Sequence, residues 1–244
     1  MSDSIRFACT GCGKCCTGHH VPLTLAEAGQ WARAGGQVIV LIEGFMADGP
    51  GMPPEQRDHV LRRSHPVPCG TGELRVSVTF AAFNPGRCRN LDADDLCTIY
   101  ESRPLVCRIY PAEINPHLPL RPEGKDCPAE AWEQGPELIH GGLLQDAELR
   151  GLIEASRQAD REDIASKVAI CQALGITTSA LKGNGFTAWL PDMGALAAAL
   201  DAVPVDNPAQ WQVHVVDAEL AGSLQGHGLQ TTAQTPVYYA FIGF

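Results

Sequence analysis

No apolar run in this chain approaches the roughly 18 residues needed to cross a bilayer as a helix. The longest, Ala195 to Leu200 and Val237 to Ile242, are six residues each, so the sequence argues against a membrane span. The opening MSDSIRFAC lacks the basic start and apolar stretch of a secretory signal, and the expected location is the cytoplasm. Positive charge is scarce as well. Against 28 Asp and Glu there are 18 Lys and Arg, a net charge of -10, and no Lys or Arg follows Lys182. That balance opposes broad attraction to nucleic acid or to an anionic membrane surface. The sequence also has no internal repeat, no P-loop and no G-x-G-x-x-G; KGNGF at 182–186 is a lone glycine turn. No pair of acid and base residues stands out as catalytic.

What the sequence does have is cysteine. Ten occur, at positions 9, 12, 15, 16, 69, 88, 97, 107, 127 and 171. Disulfides are a poor explanation, because cytoplasmic thiols stay reduced and a chain of 244 residues is long enough to build a core without staples. Metal ligation explains the crowding in FACTGCGKCC (7–16) better, since one soft cation accepts several thiolates from a tight loop. Gly11 and Gly13 suit that loop because they tolerate positive φ. A second group lies in GRCRNLDADDLCTIYESRPLVCRIYP (86–111), with Cys88, Cys97 and Cys107, and Cys127 follows. Four plus four thiolates match two four-thiolate sites, one four-thiolate cluster with four further thiols, or a shared polynuclear site. Eight negative charges need compensation. Eight of the 18 basic residues (Arg6, Lys14, Arg87, Arg89, Arg103, Arg108, Arg121 and Lys125) lie within or just beside the two cysteine-bearing stretches, 6–16 and 86–127. Pro104 at the first position of a helical turn would place Cys107 in that turn, where the dipole favours a thiolate.

FACTGCGKCC, then CRNLDADDLCTIYESRPLVCRIYP and a later Cys-Pro, resembles the YkgJ-type cysteine-cluster family, a zinc- or iron-chelating CxxCxxCC domain. The resemblance covers about residues 5–130. It implies Cys9, Cys12, Cys15, Cys16, Cys88, Cys97, Cys107 and Cys127 as metal ligands. Arg89-Asn90 stands where members commonly have Pro-Phe, a departure that touches no ligand. The cysteine pattern is also similar to that of flagellin lysine N-methylases, which implies an alternative function as a cluster-dependent redox or methyl-transfer enzyme.

Zinc fits the division of eight thiolates into two closed tetrahedra. C-x2-C-x2-C and Cys127-Pro128 resemble parts of a bacterial ferredoxin run, although Cys16 follows Cys15 directly. With the methylase likeness, this tilts the cofactor reading toward iron–sulfur, of the 4Fe–4S kind. Of the other candidates, Cys171 shares a helical face with Ile164 and Val168 and reads as buried filler. Cys69, in the Pro/Gly-flanked HPVPCGTG, reads as a surface thiol. His19 and His20 read as solvated or supporting residues, and Glu101 and Arg103 as supports of the ligands.

The expected fold class is α+β. A metal-organised, partly irregular cysteine-cluster domain, with a small sheet and short helices, would span residues 1–136. A region of unassigned role, 137–244, would hold a helical segment and a C-terminal strand pair. Thr24 and Glu27 form a capping-box pattern for a helix ending at Gly35-Gly36. Val38–Ile42 and Leu74–Phe80 read as strands, and 48–54 as a loop. Residues 82–128, rich in Pro, Asp and Arg, have single helical turns near Ser102-Pro104 and need metal for part of their folding energy. Residues 143–174 read as one or two helices, with a restart at Asp160 and a stop at Gly175. Asp192 caps another helix, and WQVHVVD and PVYYAFIGF form the strand pair. The partner is expected to be a protein or a small molecule.

Overall fold

The computed structural model describes residues 4–47, 54–202, 208–234 and 239–242. Helices and sheet coexist, so the class is α+β. The loop expected at 48–54 lies almost wholly outside the described residues.

Two compact units form, one from residues 1–21 and 83–158, the other from 22–82 and 159–244. A cut after residue 136 does not follow them. The reason is strand pairing within the second unit: Val38–Phe45 and Gly72–Ala82, from the first half of the chain, join one sheet with strands from the second half.

The sheet of that second unit has nine strands among the described residues. Val38–Phe45 and Gly72–Ala82 run antiparallel, from Val38 opposite Ala82 to Phe45 opposite Arg75. The alternation read in LRVSVTF holds. Leu74, Val76, Val78 and Phe80 are buried while Arg75, Ser77 and Thr79 are partly exposed, as the two-residue period of a strand requires. The other edge of Val38–Phe45 is shared by Phe186–Trp189, antiparallel, and Thr178–Leu181, parallel. The C-terminal strand pair is not formed as expected. Gln212–His214 pairs in parallel with Thr178–Leu181 and with Thr231–Thr232, whereas Tyr239–Ile242 pairs antiparallel with Phe186–Trp189. Each of the two strands finds a partner already fixed in the sheet.

Leu25–Arg33 is the helix the capping box announces. Thr24 Oγ1 accepts from Glu27 N at 3.2 Å, and Glu27 Oε2 accepts from Thr24 N at 2.9 Å. Thr24→Ala therefore removes a cap and lowers the stability of this unit by about 1 kcal/mol. An unchanged urea midpoint would contradict that. Asp192 caps Met193–Ala202 through Ala195 N at 2.8 Å.

One expectation about the helices is corrected. Ala147–Ala173 runs without a restart at Asp160. The acids there serve tertiary contacts instead: Asp160 pairs with Arg63 at 2.6 Å, and Asp163 accepts from Leu25 N at 2.7 Å. Gly175, at φ 71°, follows the helix end. Ile164, Val168 and Cys171 are buried, as their spacing requires. Cys69 is also buried, not a surface thiol. It ends the strand His65–Cys69, which forms a hairpin with Gly72–Ala82, and its thiol donates to the Gln230 carbonyl at 3.5 Å.

The first unit holds the other eight cysteines. It has a three-stranded sheet of Ser4–Arg6, Glu137–His140 and Leu143–Leu144 and a small core of Ile109, Leu120, Leu138, Leu149 and Ile153. Phe7 and Trp132 pack at 4.9 Å beside that core. Between Ala82 and Glu130 the only helical pieces are the turns Tyr100–Ser102, Leu105–Ile109 and Pro122–Gly124. So small a core leaves the cysteine loops little apolar burial to rest on.

Candidate metal centre

The first cysteine segment begins beside the three-stranded sheet. Phe7 N donates to the Pro136 carbonyl at 3.3 Å and Ala8 N to the Ala131 carbonyl at 2.9 Å. Gly135, at φ 96°, permits this close approach, because a Cβ there would lie 2.6 Å from the Phe7 carbonyl oxygen. Cys9 is thus held next to the turn that carries Cys127.

The chain then turns through Gly11 and Gly13, at φ 69° and 66°, in the conformation the sequence required. Lys14–Cys16 form a single 3₁₀ turn in which Cys16 N donates to the Gly13 carbonyl at 3.0 Å. Gly13 also packs against the loop of the second group. A Cβ there would lie 2.9 Å from Asp95 Cβ. Gly13→Ala therefore combines left-handed strain of about 1–2 kcal/mol with a clash. Gly18→Ala has positive φ but nothing within 4 Å, so it carries the strain alone. Zinc titration monitored with a competing chelator should show the larger affinity loss in Gly13→Ala; equal losses would contradict the packing argument.

Backbone pairing brings the second group to the first. Cys88 N donates to the Cys16 carbonyl at 2.8 Å, and Gly18 N to the Gly86 carbonyl at 2.7 Å. Leu91 bridges to Cys97, and Leu91 N donates to the Cys88 carbonyl at 3.2 Å. Arg87 holds this loop closed, donating to Asp95 at 2.8 Å and to the carbonyls of Leu91 and Asp92. Pro104 sits one position earlier than expected, at the cap of Leu105–Ile109, and Cys107 still falls in the first turn. Cys127 Sγ is hydrogen-bonded to Tyr110 Oη at 3.4 Å. Tyr110 is a site residue that spacing of cysteines alone did not flag; its signal was its place three residues after Cys107 in the C-R-x-Y-P segment.

Charge compensation is more selective than the cluster of basic residues implied. The charge of Arg103 favours thiolate at Cys16 and Cys107, and that of Arg89 favours it at Cys88. Arg87 and Lys125 are engaged with Asp95 and Glu113. Burial pushes Cys107 up to about 12, with Cys16, Cys88 and Cys97 adding repulsion and Arg103 opposing it. Burial also raises Cys88 and Cys127, the latter eased by the Tyr110 hydroxyl. The two adjacent sulfurs of Cys15 and Cys16 lie 3.9 Å apart and share a hydrogen bond that splits them. Cys15 is raised, and Cys16 falls to about 6 as that bond, Arg103 and His19 favour its thiolate over the cost of burial.

His19 pairs with Asp126 at 2.7 Å on the exposed rim. Together with Cys12, Lys14, Thr17 and Asp95 they line an open cleft of about 430 Å³. His20 is turned elsewhere: its Nδ1 accepts from Asn84 N at 3.1 Å, and its ring stacks on Phe83.

Eight thiols from separate segments are therefore gathered in one unit, and Cys69 and Cys171 lie apart in the other. Among the described residues, no three His, Cys, Asp or Glu side chains converge on a common metal position. The donors are all soft and half-buried or exposed, which fits zinc or iron by ligand chemistry. Among the described residues no helix is long and apolar enough to cross a membrane.

The family model CxxCxxCC, described as a "putative zinc- or iron-chelating domain", matches residues 8–128. No curated protein and no solved structure shows a significant match.

Proposed function

We propose that this chain, whose residues 8–128 match the model of the CxxCxxCC family, holds zinc or an iron–sulfur cluster through Cys9, Cys12, Cys15, Cys16, Cys88, Cys97, Cys107 and Cys127, in the cytoplasm, where thiols stay reduced. The observation that carries this reading is the joining of Cys16 to Cys88 through the backbone, which makes one locality of two cysteine groups about 70 residues apart in sequence. A bound metal supplies charge neutralisation and cross-linking to these loops.

The chain's own residues prepare the ligands. Arg103 stabilises thiolate at Cys16 and Cys107, the Tyr110 hydroxyl accepts from the Cys127 thiol and can donate to its thiolate, and Arg87 keeps the loop of Cys97 against Gly13. Thiols raised by burial are protonated at neutral pH and must lose that proton to bind. Adding Zn²⁺ to the reduced protein in weak buffer therefore acidifies the solution, and affinity climbs as pH rises. A pH-independent affinity would contradict thiolate ligation.

Metal analysis of protein purified without oxygen, with its visible spectrum, tests the function itself. Iron with matching sulfide and broad visible absorption identifies a cluster. About two zinc ions and no colour identify closed sites. Protein bearing neither metal would overturn the reading.

A further inference from the structure

We propose that Tyr110 is a positioning residue of the metal centre: its hydroxyl, held by the turn that carries Cys107, hydrogen-bonds the Cys127 sulfur and fixes that ligand's place and donor strength when metal is bound. The proposal rests on thiolate ligation as read above and adds the group that holds one of the ligands.

Cys127 has need of such a group. It lies in irregular chain between the single turn Pro122–Gly124 and the short helix Glu130–Glu133, so no regular element aims its side chain. Side chains tie this stretch to residues 110–113 instead. Lys125 Nζ pairs with Glu113 Oε1 at 2.5 Å and stands 5.5 Å from the centre of the Tyr110 ring, within reach of a cation–π contact. Two residues further on, Cys127 Sγ meets Tyr110 Oη at 3.4 Å. One member of the segment thus covers the ring while another engages its hydroxyl.

Tyr110 is itself anchored. It caps the C-terminal end of Leu105–Ile109, and its N donates to the Val106 carbonyl at 3.0 Å. The residue before it, Ile109, is 1% exposed in the small core with Leu120 and Leu138. Cys107 lies in the first turn of the same five-residue helix. One short element therefore carries Cys107 directly and holds Cys127 through Tyr110. Among the described residues, Tyr110 is the one side chain other than cysteine that is hydrogen-bonded to any of the eight thiols.

A phenol hydroxyl both accepts and donates. It accepts from a Cys127 thiol, and it donates to a Cys127 thiolate after turning about its C–O bond. An O–H···S bond draws charge from the sulfur. Partners of this kind orient a ligand and tune the metal, and in a cluster they raise the reduction potential.

The test compares the full, reduced wild-type chain with Tyr110→Phe, and with Tyr100→Phe as a control. Phenylalanine keeps the ring beside Lys125 and removes only the hydroxyl. Tyr100 offers the same change on an exposed ring of the same unit. With Cd²⁺ in its spin-half isotope as the probe, the cadmium resonance that correlates with the Cys127 β-protons should move in Tyr110→Phe and stay in place in Tyr100→Phe. Zn²⁺ affinity, read by competition with a chelator, should fall about 10- to 100-fold in Tyr110→Phe and hold in the control. Wild-type affinity with an unmoved resonance in Tyr110→Phe, or equal effects in the two variants, would overturn the proposal. A fall in affinity without movement of that resonance would mark a merely structural role and would overturn it too. Failure of the proposed ligand set shows differently, in the wild type itself, as cadmium with no correlation to Cys127, and it would take this inference with it.

Discussion

Replacing Cys107 by serine should abolish tight metal binding at its site and loosen residues 83–128, while Cys171→Ser leaves metal content at the wild-type level. The proposed function gives the two thiols opposite roles despite similar burial pressure on their protonation. Cys171 is fully buried on the helix Ala147–Ala173, in line with Ile164 and Val168, and acts as apolar filler. Cys107 lies in the first turn of Leu105–Ile109 with Cys16, Cys88 and Cys97 acting on it. A serine there removes a soft donor. Cys12→Ser should behave as Cys107→Ser does. Metal-to-protein ratios after gel filtration read the effect. Equal losses in Cys107→Ser, Cys12→Ser and Cys171→Ser would sink the ligand assignment.

Stripping the metal should have a still larger effect on stability. Apparent binding free energies of structural zinc sites are on the order of 10 kcal/mol, comparable with the whole stability of a small domain. In the unit of residues 1–21 and 83–158, five buried apolar side chains with partly buried neighbours form a small core cluster. Between Ala82 and Glu130 the unit has only short helical turns. Chelation should therefore raise amide exchange and protease cleavage across 83–128, while Val38–Phe45 and Gly72–Ala82, deep in the nine-stranded sheet, keep their protection. Unchanged protection across 83–128 after complete metal removal would contradict a structural role for the metal.

Local chemistry was the most legible part of the sequence. Thr24 with Glu27, and Asp192 before its helix, signal caps through side chains that reach only three residues, so no tertiary knowledge is needed. The strand alternation from Leu74 to Phe80 is equally local. Pairing was less legible. Nothing in WQVHVVD or PVYYAFIGF says that the first joins Thr178–Leu181 and the second Phe186–Trp189, because partner choice depends on which edges the rest of the sheet leaves open. Asp160 looked like a helix start because Asp favours the cap position; here it answers Arg63, and nearby Asp163 answers Leu25 N, both long-range partners. Cys69 was misplaced by its prolines and glycines. Pro66 and Pro68 are compatible with an edge strand, and Gly70-Thr71 is the hairpin turn that follows it.

At the site, spacing and resemblance picked out the eight thiols that fall together in one unit, and the positive φ of Gly11 and Gly13 was legible in residue type. Their grouping was not. The hydrogen bond from Cys88 to Cys16 and the clamp of Arg87 on Asp95 arise only when distant loops meet. The same holds for Tyr110 beside Cys127 and for His19 beside Asp126.

The measurement closest to the central claim is X-ray absorption at the metal edge on protein purified without oxygen. The account predicts a first shell of sulfur alone, at about 2.3 Å if the metal is zinc, with no nitrogen or oxygen scatterer from His19, His20 or a carboxylate. A first shell dominated by nitrogen or oxygen would contradict it.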